Sequence, residues 1–93
     1  YRLTAALRRW LALRHPTCDF PGCGRRSSAC DMDHTLARVD GGLTTVENLM
    51  PRCRPHHRLK HESKWRVDKP PGADRAVWTS PTGYSRASDP PPF

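Results

Sequence analysis

Residues 53–61 read CRPHHRLKH, and this stretch decides the fold. Pro51 ahead of it and the spacing within it predict a helix of about ten residues, Cys53 through Glu62. On such a helix His57 and His61 stand four apart and share a face, so two imidazoles can grip one cation. Cys53 and His56, C-x2-H at the helix start, form a separate pair.

Some thirty residues earlier Cys18 and Cys23 form C-x4-C. The two pairs can close one tetrahedral site, and thiolates with imidazole suit zinc best. Free or disulfide-paired cysteines are the alternative. Cys30, the fourth thiol, could displace His56 as ligand or simply be buried. Between the pairs lie Asp33 and His34 on an expected strand from Asp31 to Val39, broken by Asp40, Gly41 and Gly42. Thr44 to Asn48 reads as one helical turn and Leu49–Met50 as a short strand, giving the order strand, long loop, strand, helix. A carboxylate from Asp33 could complete an open cation site with His57 and His61. His34, if left off the cation, has the pKa range to take a proton from water, as phosphodiester hydrolysis beside a divalent cation requires. An Asp-His pair or an H-x3-H alone is more often structural. The fixed order of all these elements is what points to chemistry.

Toward the N-terminus, Leu3, Leu7, Trp10 and Leu11 lay an apolar stripe on a helix, with Arg2, Arg8, Arg9 and Arg14 mostly elsewhere, until Pro16 stops it. Residues 16–30 are turn-rich and carry three of the four cysteines, as suits a metal-clipped loop. Beyond His61, Trp65–Asp68 and Ala76–Thr79 are strand-like around Pro70, Pro71 and Gly72, which predicts a hairpin. Ser80 to Gly83 is a turn that could return the chain through Tyr84 and Ser85, and Pro90 to Pro92 mark a tail not expected to pack. The expected divisions are an N-terminal helix (1–15), a core (16–62), a hairpin extension (63–86) and a flexible tail (87–93).

The chain has 93 residues, of which 35% are hydrophobic. A domain of this size buries only about 60–65% of its unfolded surface, so a staple beyond the apolar core is expected. Its net charge of +7 points to a polyanionic partner. Residues 1–61 hold 11 basic and 5 acidic side chains against 5 and 4 in the remainder, which places the partner surface in the first part. Arg25, Arg26, Arg38, Arg52, Arg54, Arg58 and Lys60 are the candidates for phosphate contacts, each with a solvated-surface reading beside it. Trp10, Trp65 and Trp78 are expected to fill the core rather than stack on bases. No apolar run nears the roughly 18–20 residues of a membrane span and no secretory leader is visible, so a soluble, cytoplasmic protein without membrane contact is expected. The first residue, Tyr1, suggests a fragment of a longer protein.

The combination CDFPGC (18–23), Asp33-His34, Gly41-Gly42, Asn48-Leu49 and CRPHHRLKH (53–61) resembles the HNH endonucleases. The resemblance covers Cys18 to His61. It implies a ββα-metal finger in which His34 is the general base that activates water and Asn48 holds the loop so that the His34 ring points correctly. It also implies Asp33 and His57, with His61 as a third ligand, for a catalytic divalent cation (Mg²⁺, Mn²⁺, Ni²⁺ or Zn²⁺), and Cys18, Cys23, Cys53 and His56 for a structural zinc. The implied products carry 5′-phosphate and 3′-hydroxyl ends. C-x4-C departs from the commoner C-x2-C, and His56 stands where many relatives have cysteine. Trp65 and the stretch VWTSPTG (77–83) resemble a subgroup in which the module follows a large N-terminal domain.

The expectation is thus a small α+β fold: an HNH ββα-metal motif stapled by zinc, preceded by an amphipathic helix and followed by a C-terminal β-hairpin. Its partner is nucleic acid, with DNA expected. The alternative is a zinc-stabilised nucleic-acid-binding module without catalysis, which would have no need of Asp33, His34, Asn48, His57 and His61 together. A secreted disulfide-stabilised domain is a third reading, and it predicts paired cysteines and no zinc.

Overall fold

A computed structural model describes residues 3–70, 72–90 and 92. Tyr1, Arg2, Pro71 and Pro91, named above, lie outside the described residues. Among these the order is helix α1 (Ala5–Arg14), strands β1 (Asp31–His34) and β2 (Leu49–Arg52), helix α2 (Arg54–Glu62), then strands β3 (Arg66–Asp68), β4 (Val77–Thr79) and β5 (Ser85–Ala87). This small α+β arrangement of two helices and two sheets is compatible with the HNH fold.

Thr4 starts α1 by accepting the Leu7 amide on its hydroxyl at 3.1 Å, and the helix ends at His15, one residue before Pro16. Its inner face is Leu7 and Leu11, which with Leu3 just ahead of the helix pack against Val46, Met32 and Leu49. Trp10 departs from the expected stripe: it is 47% exposed, at the edge of that face.

β1 and β2 pair antiparallel with Asp33 opposite Met50 and His34 opposite Leu49. The strand expected as far as Val39 stops at His34. There the chain turns into a loop, with the Leu36 amide on the Asn48 side chain and a 3-10 turn at Arg38–Asp40 closed by Gly41 in the left-handed region. The turn expected at 44–48 is present, with the Asn48 and Leu49 amides both on the Thr45 carbonyl.

All four residues of β2 are buried, and strand alternation explains where they go. Leu49 joins the cluster under α1. Met50 points the other way, into Val67, Ala76 and Trp78, with Phe20, Leu59 and Trp65 around them. The expected C-terminal hairpin is a three-stranded antiparallel sheet, β3-β4-β5, because the chain returns past Gly83 and pairs Ser85–Ala87 with β4. No helix among the described residues is long and apolar enough to cross a membrane.

Two candidate metal centres on one finger

Thr17 and Arg26 bridge antiparallel, and the Cys18 amide bonds to the Arg25 carbonyl at 2.9 Å. Gly22, at φ +77°, turns the chain so that Cys23 comes back toward Cys18. Cys53 caps α2, and His56 follows on the first helical turn. The donor atoms of Cys18, Cys23, Cys53 and His56 all lie within 4.8 Å of one another. His56 Nδ1 is 3.1 Å from Cys53 Sγ and 3.5 Å from Cys18 Sγ. Burial pushes the Cys18 thiol well up and holds the His56 imidazole below its ordinary range. A neutral imidazole among crowded thiols that gain their charge on metallation is the donor set zinc takes in a closed structural site. Phe20 lies flat on the His56 ring, 4.0 Å between centroids and 5° between planes.

Cys30 stands apart from this tetrad. Its thiol, pushed up to about 11 chiefly by burial, donates to the Arg26 carbonyl at 3.3 Å, which leaves the fourth position to His56.

The second cluster is open. Asp33 comes from β1, and His57 and His61 from one face of α2; their donor atoms also lie within 4.8 Å of one another. Asp33 Oδ1 faces His57 Nε2 at 3.2 Å and His61 Nε2 at 3.8 Å. Burial opposes the charge on Asp33, but Lys60 and Arg52 outweigh it and hold the carboxyl below the usual carboxylate range. The other nitrogen of His57, Nδ1, is 2.9 Å from Asp31 Oδ2, the orienting contact that metal-binding histidines use to fix ring and tautomer. One carboxylate and two imidazoles, with His61 half exposed, suit a divalent cation that keeps open positions. The sequence reading missed Asp31; alternation on β1, which puts 31 and 33 on one face, was its signal.

His34 neighbours Asp33 on β1, and its Nε2 is 2.9 Å from Thr44 Oγ1, another residue not anticipated. Burial is the main influence that lowers the His34 pKa, and Arg38 and Lys60 add to it against the pull of Asp33. Asn48 spans the loop: its Oδ1 accepts the Leu36 amide at 2.8 Å, and its Nδ2 donates to the carbonyls of Leu36 at 3.0 Å and Leu43 at 2.9 Å. Gly42 lies under the same loop, where a Cβ would come within 1.7 Å of the Leu36 oxygen.

Two of the basic residues offered for phosphate contact are turned inward. Arg52 is 0% exposed and bonded to Asp19 and Asp33, so it has no surface to present. Lys60 spends its ammonium on Asp33 Oδ2 at 2.8 Å and the His34 carbonyl at 2.7 Å. Arg25, Arg26, Arg38, Arg54 and Arg58 are exposed.

A finger with one closed four-donor cluster and one open cluster beside a histidine defines the class of the molecule. The chain belongs to the HNH endonuclease family, which matches residues 16–63, just over half its length. It is 40% identical over 92 residues to the "Uncharacterized protein Rv3776" of Mycobacterium tuberculosis (strain ATCC 25618 / H37Rv), covering 97% of this chain and 17% of that protein. It is 39% identical over 92 residues to the "Uncharacterized protein Rv2100" of the same strain, covering 97% and 16%. The chain therefore spans about one sixth of the length of these curated relatives. No solved structure matches. The family generally comprises endonucleases, which act on nucleic acid and use metal ions.

Proposed function

We propose that this chain is a metal-dependent nuclease module that hydrolyses DNA phosphodiester bonds to leave 5′-phosphate and 3′-hydroxyl ends. The observation that carries the reading is the convergence of Asp33, His57 and His61 within 4.8 Å, one residue along β1 from His34. A divalent cation bound there supplies stabilisation of the charge that grows on the phosphoryl oxygens and on the leaving 3′ oxygen.

The chain's own groups do the rest. His34 takes the proton of the attacking water, and its lowered pKa keeps it in the basic form at neutral pH. Thr44 Oγ1, 2.9 Å from Nε2, holds the ring that does this. Asn48 ties both ends of the intervening loop, so Thr44 and hence the His34 ring stay in place. Asp31 holds the His57 ring from behind. Cys18, Cys23, Cys53 and His56 hold a structural zinc that joins the knuckle to the start of α2. The exposed arginines Arg25, Arg26, Arg38, Arg54 and Arg58 take the phosphates of the substrate strand. The relatives are about six times as long as this chain, which leaves room for a larger domain beside the module.

The test is plasmid nicking by protein of known zinc content, stripped with mild chelator and given Mg²⁺, Mn²⁺, Ni²⁺ or Zn²⁺ in turn, with His34→Ala alongside. Nicking that needs the added cation and is lost in the variant is expected. Full activity of His34→Ala removes the assigned base. Absence of cleavage with every cation, despite one zinc per chain, supports the binding-only module instead.

A further inference from the structure

Arg52 is a fully buried charge for which the proposed reaction has no use. Its guanidinium makes a two-pronged contact with Asp19, Nε to Oδ1 at 3.1 Å and Nη2 to Oδ2 at 2.8 Å. Nη1 donates to Asp33 Oδ2 at 2.9 Å, and Nη2 also donates to Thr35 Oγ1 at 3.0 Å. Asp19 follows Cys18 in the chain and Arg52 precedes Cys53, so this fork is rooted in the four-donor knuckle at both ends.

The consequence falls on Asp33. Its Oδ2 is taken by Arg52 Nη1 and by Lys60 Nζ at 2.8 Å, while Oδ1 is the oxygen that faces His57 and His61. We propose that Arg52 is a positioning residue that carries the rigidity of the zinc knuckle to the cation centre, clamping Asp33 Oδ2 so that Oδ1 alone is offered to a divalent cation. This rests on reading Asp33, His57 and His61 as a cation centre. A carboxylate free to rotate can chelate through both oxygens and fill a position that water and phosphate need. Only a planar fork can hold two carboxylates at a fixed angle; an ammonium is a single point of charge. Asp19 offsets the charge of Arg52, so what the pair chiefly brings to Asp33 is directed donors.

That cancellation supplies the test. In the zinc-loaded chain, Asp19→Leu with Arg52→Met removes the pair together, without stranding either charge. The probe is Mn²⁺, titrated and followed by the electron paramagnetic resonance of the free ion, with zinc content and melting measured on the same samples. One zinc per chain should be kept, and Mn²⁺ affinity should fall about tenfold or more, as when other orienting contacts behind metal ligands are removed. Arg52→Lys, which keeps the charge and loses the fork, is the second variant in case the double one does not fold. It should weaken Mn²⁺ severalfold although the net charge around Asp33 is unchanged. A merely structural arginine would lower the melting temperature and leave Mn²⁺ affinity alone. Affinities within twofold of wild type in the folded variants overturn the proposal and leave the cation centre standing. A wild-type chain that takes up zinc but no Mn²⁺ overturns the cation centre, and the proposal with it.

Discussion

Replacing Gly42 by alanine puts the structure to a test that is read first in stability. A Cβ there would stand 1.7 Å from the Leu36 oxygen, 2.6 Å from the Leu36 carbonyl carbon and 2.9 Å from the Ala37 oxygen. All three obstacles are backbone, so no side chain can swing aside, and the strand of loop at 36–37 must move by more than an ångström. Leu36 is the residue that Asn48 grips twice, through its amide at 2.8 Å and its carbonyl at 3.0 Å. Losing those two hydrogen bonds, at about 0.5–1.5 kcal/mol each, costs about 1–3 kcal/mol. For a domain of this length that corresponds to a fall in melting temperature of about 5–20 °C. The same movement draws away Thr44 and with it the support of His34, so nicking should fall too. The assay is thermal unfolding of the zinc-loaded Gly42→Ala variant by circular dichroism, with zinc content and nicking measured in parallel. A variant that melts within a degree or two of the wild type and nicks at full rate refutes the argument, since the loop would then be free of the grip ascribed to Asn48.

Asp31→Ala removes the contact behind His57 and should weaken Mn²⁺ binding by about 10–100-fold with zinc retained; an unchanged affinity in a titration removes Asp31 from the site. His34 must be neutral to act as base, and its pKa lies below the ordinary 6.5, so the Mg²⁺-supported nicking rate should rise with pH in the acid range and level off by about pH 7. A proportional climb from pH 7 to 8 in initial rates would contradict it. His15 is pushed down to about 4, chiefly by burial with Lys69 and Arg14 adding to it. The unfolded chain, near 6.5, takes up that proton first, so stability is full above 6.5 and declines as pH falls toward 4. Melting temperatures of His15→Gln should fall less steeply over that range than those of the wild type, and parallel slopes would exclude His15 as the cause.

The pairs that build the two candidate clusters could be read from the chain because their spacings are local: five residues across the first knuckle, three and four along α2. The order of β1, loop, β2 and α2 followed from the same signals. What escaped the reading depends on partners far apart in sequence. Arg52 and Lys60 look like any other surface cations in a basic chain, and only the folded positions of Asp19 and Asp33 turn them inward. The turn at Gly83 and the return through Tyr84 and Ser85 are legible, but β5 carries no alternation of apolar residues, so its pairing with β4 as far as Ala87 is not. Trp10 was assigned to the buried stripe by periodicity, but the contact surface under α1 is only as wide as Leu49 and Met32 make it.

Strand β2 gives Leu49 to one apolar cluster and Met50 to the other, and these are the two sides of a single four-residue segment. A side chain removed from either cluster therefore disturbs the backbone that the other one leans on. The histidine, the loop and both candidate metal centres hang from that same segment or its partner strand. A substitution in that segment would therefore be felt at all of these together.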